Sequence, residues 1–197
     1  MQDCEMRSAW IVASVAAAVM VLAGVFETAA ALSAFHKEPQ MTLRELSTTP
    51  TVDLERYQGR WYEIARLPQI YEPKDCVGVT ADYSLRSDGK INVVNTCIRK
   101  TCSGRTEQVH GVARVVGPGR LKVAFYAGII EGDYWIFELG DNYEYSIVGS
   151  PDHKSLWVLS RAKTLDMSFL QDILTRYKRL GFKTETMVFM TPCISQI

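Results

Sequence analysis

The most reactive side chains in this 197-residue chain are five cysteines and three histidines. They are Cys4, Cys76, Cys97, Cys102 and Cys193, with His36, His110 and His153. A cysteine can attack a substrate, ligate a metal or close a disulfide. Attack requires a lowered thiol pKa, and no histidine is placed in the sequence to activate a given thiol. Metal ligation requires clustered donors at ligand spacing. There is no C-x-x-C pair and the histidines are scattered, so neither a metal site nor a cofactor is expected. Disulfides are the natural reading if the chain is exported.

Composition narrows the function classes. Lys and Arg number 22, and so do Asp and Glu, for a formal net charge of zero. No basic excess or run of like charge points to nucleic acid. Hydrophobic residues make up 47% of the chain, enough for a buried core. The length allows one ordinary domain plus an extra segment. Nine Tyr, seven Phe and four Trp suit pleated surfaces, on which aromatic side chains pack well.

The amino terminus argues for export. Residues Ser8 to Phe26 are 19 in a row without a charge, preceded by Arg7 and followed by Ala29-Ala30-Ala31 and Ser33-Ala34. A positive residue, an apolar core and a small-residue site read as a secretory signal peptide. The rival reading is an uncleaved membrane anchor, since the run is just long enough to span a bilayer. Bacterial lipidation needs a cysteine directly after a Leu-Ala-Gly sequence. Here Leu22-Ala23-Gly24 is followed by Val25, so no lipid anchor is expected. Residues 1–34 are thus a signal peptide or anchor. Residues 35–50, with Pro39, Pro50 and Ser47-Thr48-Thr49, read as a linker. Residues 51–197 form the domain, in the periplasm, at an outer membrane or secreted.

The domain reads as consecutive strands. Val77, Val79, Ala81, Tyr83 and Leu85 alternate with smaller or polar residues, the period-two signature of a half-buried strand. Ser87-Asp88-Gly89-Lys90 is a hairpin turn, because Asp-Gly supplies positive φ. Strands are expected over 61–67, 77–85, 91–96, 109–116, 121–126, 133–139, 143–149 and 155–161. Eight short strands joined by turns suggest an antiparallel sandwich or barrel. One segment differs. From Asp166 to Leu180, residues Met167, Leu170, Ile173, Leu174, Tyr177 and Leu180 recur at helical spacing. Asp166 can cap that helix and Gly181 stands where it stops. Residues 186–191 return to β character.

Particular residues carry a resemblance to a known family. Gly59-Arg60-Trp61-Tyr62 opens the first strand, and Leu156-Trp157-Val158-Leu159-Ser160-Arg161 closes the eighth about a hundred residues later. Gly140-Asp141-Asn142-Tyr143 stands between them; of the Thr-Asp-Tyr block it resembles, only Tyr143 agrees. In this order the motifs resemble the lipocalins, most of all the bacterial outer-membrane members and apolipoprotein D. The resemblance covers about three quarters of the chain. It implies an all-β fold: an eight-stranded antiparallel up-and-down barrel with one C-terminal helix outside and a short final strand. Gly59, Trp61 and Arg161 would form the closed end, with the guanidinium across the indole, a contact of roughly 0.5–2 kcal/mol.

The resemblance also implies function. An eight-stranded barrel is just wide enough to hold one small ligand. Strand parity turns Val79, Ala81 and Tyr83 inward, then Ile91, Val93 and Asn95, then Leu121, Val123 and Phe125. This apolar wall with a few polar points suits an amphipathic molecule; Asn95 would meet a head group or satisfy another buried polar group. A fatty acid or lysophospholipid, carried or stored, is what the resemblance implies. The mouth would be framed by the loop from Pro68 to Asp75 and by loops near Lys100, Gly128 and Asp152. Tyr71 and Ile129-Ile130 there would guide ligand, touch a membrane or pack locally.

The same resemblance bears on the cysteines. Some bacterial relatives carry cysteines at the places of Cys76 and Cys97, which leaves Cys102 with Cys193; this pairing is favoured. The alternative, Cys76 with Cys193, resembles the tail staple of apolipoprotein D and leaves Cys97 with Cys102. Simple parity turns Cys76 outward and Cys97 inward, which opposes the favoured pairing unless a bulge intervenes. No catalytic group is expected. The competing functions are an enzyme using a reduced Cys97 and a membrane-associated structural or stress-protective barrel.

Overall fold

The computed structural model describes residues 46–190 and Cys193. The apolar leader and the linker as far as residue 45 lie outside them, as do residues 191–192 and 194–197.

A short helix, α1 (Leu54–Tyr57), precedes the first strand. The Asp53 carboxylate accepts from the Glu55 and Arg56 amides, satisfying donors that a helix start leaves orphaned. Strands β1 (Gly59–Arg66), β2 (Cys76–Leu85), β3 (Ile91–Arg99), β4 (Thr106–Gly117), β5 (Arg120–Phe125), β6 (Ile130–Leu139), β7 (Tyr145–Gly149) and β8 (Leu156–Ser160) follow, with a 3₁₀ turn, Tyr126–Gly128, between β5 and β6. Then come α2 (Met167–Arg179), a 3₁₀ turn (Thr184–Thr186) and β9 (Val188–Phe189).

From β1 to β8 each strand pairs antiparallel with the next, and β8 pairs with β1. Pairing of Gly59 with Tyr83 through Tyr62 with Thr80 closes the barrel. Farther along β1, β9 takes the edge, pairing Ala65 with Phe189 and Arg66 with Val188. Closure removes the exposed edges that an open sheet would carry. The expected order of eight strands, helix and final strand therefore holds.

The boundaries differ where polar residues hide the pattern. β3 runs to Arg99 and β4 begins at Thr106, so this hairpin is longer than the apolar runs suggest. β7 starts at Tyr145, because Tyr143 is held in a turn at φ 61°. The end of the segment read as linker lies on the barrel. Thr48 donates its hydroxyl to the Pro118 carbonyl at 2.9 Å, and the Thr49 amide donates to the Ile136 carbonyl at 2.8 Å.

Two apolar clusters form the core. One fills the barrel around Trp61, Tyr83, Ile91, Val93, Leu121, Val123 and Ile136. The other joins the outer wall to α2, through Ile147, Leu156, Val158, Leu170, Ile173, Leu174 and Tyr177. The spacing of the α2 residues puts them on one face. Burial of each large side chain contributes roughly 1.5–3 kcal/mol. Arg176 pins the helix to β6, pairing with Glu138 at 2.6 Å.

Candidate functional site

The barrel has a sealed end and an open one. At the sealed end the Arg161 guanidinium lies 3.9 Å from the centroid of the Trp61 ring. It also donates to the carbonyls of Arg56, Tyr57, Gln58 and Arg60. The carbonyls of Arg56, Tyr57 and Gln58 end α1, where a helix leaves acceptors and partial negative charge, and that of Arg60 lies in β1. The Trp61 indole N–H donates to the Tyr57 carbonyl at 2.9 Å. Gly59 has φ 86°, a conformation that strains residues with a Cβ. It lets the chain turn from α1 into β1. Tyr143 accepts a hydrogen bond from the Asp53 amide and lies under the Arg56 guanidinium. Gly59, Trp61, Tyr143 and Arg161 thus meet as a lid.

Above the lid is a floor of hydroxyls. Tyr134 shares hydrogen bonds with Tyr57 at 2.8 Å and with Tyr83 at 3.0 Å, and Tyr57 reaches Ser146 at 3.2 Å. Burial pushes the Tyr57 phenol up to about 12 and those of Tyr83 and Tyr134 upward as well. All three stay neutral.

The inward rows change character toward the mouth. Tyr83, Ile91, Val93, Leu121 and Val123 are buried, whereas Val79, Ala81, Asn95, Phe125 and Trp157 on the same inner face are only half-buried. The Asn95 amide makes no hydrogen bond among the described residues. Gly132 sits opposite Val123, and a Cβ there would meet nothing within 4 Å. At Gly111, opposite Phe125, a Cβ would strike the Phe125 ring at 2.7 Å; glycine lets that ring lie flat on the wall. The floor is filled, and toward the mouth the inward side chains are partly exposed, with open space beside Gly132.

One wall carries charge. A bulge between Glu63 and Ala65 lets Glu63, opposite Leu159, and Arg66, opposite Trp157, share the inner face. Arg66 Nη1 donates to Glu63 Oε1 at 2.8 Å, and both residues are buried. Glu72, from the loop between β1 and β2, brings Oε2 to 2.7 Å from Arg66 Nε, and its Oε1 accepts from the Trp157 indole N–H at 3.2 Å. Burial pushes Glu63 up to about 8, with the Glu72 charge adding and Arg66 opposing. Burial also raises Glu72, against the pull of Arg66 and Trp157. Period-two reading missed this cluster, because an ionic residue inside a barrel breaks the apolar-in rule and the bulge shifts the parity. The cue was a charged Glu63 and Arg66 within the otherwise apolar run from Trp61 to Leu67.

At the mouth, Arg99 pairs with Asp75 at 2.7 Å and Glu107 at 2.8 Å. Ile70, Tyr71, Tyr126 and Ile129 are exposed on the rim loops. The disulfides are Cys76–Cys97 and Cys102–Cys193. Simple parity, which turned Cys76 outward, is corrected by a bulge. Cys76 pairs with Arg99 and Gly78 with Ile98, so Val77 is an extra residue and Cys76 joins the face of Cys97. Among the described residues no group of three His, Cys, Asp or Glu is arranged to hold a metal.

Comparisons with known proteins agree with this geometry. A family profile described as a lipocalin-like domain matches residues 52–192. The outer membrane lipoprotein Blc of Vibrio cholerae is 36% identical over 150 residues, which are 73% of this chain and 86% of that protein. Bovine apolipoprotein D is 33% identical over 172 residues, 78% of this chain and 84% of that protein. Temperature-induced lipocalin-1 of Arabidopsis thaliana is 30% identical over 149 residues, 71% and 78% of the two chains. Insecticyanin from Manduca sexta superposes with a TM-score of 0.57 at 20% identity, over 74% of this chain and 83% of its own. With the closed barrel, the Trp61–Arg161 lid and the outer helix, this establishes that the chain belongs to the lipocalin family.

Proposed function

We propose that the protein is an exported carrier or store for a single-chain amphipathic lipid, a fatty acid or lysophospholipid, held in the upper half of the barrel. The observation that carries this reading is the gradient along the inner face. Side chains are sealed at the floor and half-buried toward the mouth, with open space beside Gly132. Such a wall, apolar with a few converging polar groups, is the ordinary form of a small-molecule site. Val79, Ala81, Val123, Phe125 and Trp157 would line the lipid chain and Asn95 would offer a polar contact, above the floor closed by Tyr83, Ile91, Val93 and Leu121. The exposed Ile70, Tyr71, Tyr126 and Ile129 suit contact with a membrane surface from which lipid is collected. Two disulfides fit an oxidising compartment.

A carrier is favoured over an enzyme because the thiol considered as nucleophile, Cys97, is bonded to Cys76. The test is native mass spectrometry of the purified mature domain, with displacement of a fluorescent fatty acid by oleate. A bound lipid mass and stoichiometric displacement are expected. No co-purified lipid together with no displacement would sink the carrier reading.

A further inference from the structure

The charged wall of the barrel is unexplained by packing alone. Arg66 is 3% exposed, and a buried guanidinium is costly unless its donors are met. They are only partly met. Nη1 reaches Glu63 and, more weakly, the Met190 sulfur. Nε lies close to Glu72 yet has no acceptor at a hydrogen-bond angle. Nη2 makes no hydrogen bond among the described residues.

The carboxylate on Arg66 is also unusual in origin. Glu63 is fixed in β1, whereas Glu72 reaches in from the loop that frames the mouth. Its two oxygens take one contact each, from Arg66 and from the Trp157 indole N–H. A guanidinium and an N–H converging on two oxygens of one anion is how proteins hold carboxylates and phosphates. Above the tyrosine floor, β2 to β6 present mainly apolar side chains to the interior, Val79, Ala81, Val123 and Phe125 with the one amide of Asn95, so the upper barrel is amphipathic. Burial disfavours the charged form of Glu63 more than that of the partly exposed Glu72, so Glu72 is the better anion for Arg66.

We propose that Arg66 and Trp157 are the head-group site of the barrel, taking the anionic carboxylate or phosphate end of a single-chain lipid, and that Glu72 fills this site from the loop and gives way when lipid enters. The inference rests on the carrier reading above and adds to it the charge of the ligand and the residues that read it. A lipid anion on Arg66 keeps the buried guanidinium neutralised while it frees the misaligned Glu72.

The test compares oleate, 1-oleoyl lysophosphatidate and oleyl alcohol, titrated into the wild type, Glu72→Gln and Arg66→Gln and followed by tryptophan fluorescence. In Glu72→Gln the competing anion is gone, so at least one of the two anionic lipids is expected to bind five- to tenfold more tightly, with oleyl alcohol unchanged within twofold. Arg66→Gln is expected to lose about tenfold for the same lipid and nothing for the alcohol. Should Arg66→Gln not fold, Glu72→Gln decides alone. A gain for oleate only identifies a carboxylate end, a gain for lysophosphatidate only a phosphate end, and a gain for both the shared anion. If Glu72→Gln alters acid and alcohol alike, or neither, while all three still bind, the head-group site falls and the carrier stands. If no lipid binds any of the proteins, both fall.

Discussion

Arg161 and Trp61 are stacked at 3.9 Å, and the same guanidinium donates to Arg56, Gln58 and Arg60 carbonyls at 2.9, 2.8 and 2.7 Å. One side chain thereby joins the end of β8, the first strand and the end of α1. Lysine has neither the planar fork nor the stacking surface. Arg161→Lys and Arg161→Ala should each destabilise the domain, the alanine by about 2–3 kcal/mol, measured by urea unfolding. Oleate affinity of the folded variants should stay within twofold, because the lid lies at the opposite end from the mouth.

Gly132 offers a way to fill the barrel without straining it. A Cβ there meets open space, so Gly132→Phe should fold with a stability change below about 1 kcal/mol. The ring should occupy the upper barrel and weaken fatty-acid binding at least tenfold in a displacement titration. A variant that binds as tightly as the wild type would show that ligand does not use this space.

The disulfides should differ in their effect on stability. Cys76 and Cys97 are 21 residues apart and Cys102 and Cys193 are 91 apart. Loop-closure entropy gives about 3 kcal/mol for the first and about 4–5 kcal/mol for the second. Cys102→Ser with Cys193→Ser should therefore lower Tm more than Cys76→Ser with Cys97→Ser. Thiol titration of the unreduced mature domain should find no free thiol among these four; a single reactive thiol at Cys97 would revive the enzyme reading.

Glu63 should give the fold a dependence on pH. Its carboxyl is raised from 4.5 to about 8 in the folded protein, so the folded state binds a proton that the unfolded chain releases. The favourable contribution is full below pH 4.5 and is lost as pH rises through about 8. The Glu63→Gln variant should flatten that decline between pH 5 and 8, measured by chemical unfolding across the range. An unchanged slope would show that Arg66 keeps Glu63 ionised.

Much of the fold was legible because alternation and turn chemistry are local. Asp88-Gly89, the apolar alternation of β2 and the cap and stop of α2 each show in a few residues. Gly59, Trp61 and Arg161 showed as a spaced motif. The four residues of α1 did not, since one helical turn has no period to read. The floor escaped in part: Tyr57 lies in α1, and Tyr134 sits beside Trp135, which packs outside on the helix-facing cluster. Glu63, Arg66 and Glu72 escaped because their role needs a bulge and a loop that reaches inward, and neither leaves a periodic trace.

Val77 has a consequence beyond its own place in β2. As the extra residue of a bulge it rotates Cys76 to the inner face, beside Cys97. Delete Val77, and Cys76 would stand next to outward-facing Gly78, so plain alternation would still hold its sulfur beside Cys97. Keep Val77 and straighten the bulge, and the same alternation would turn that sulfur outward, away from Cys97 and free to seek the tail cysteine. The irregularity of the strand, not its length, thus selects between two linkage patterns of the same four sulfurs.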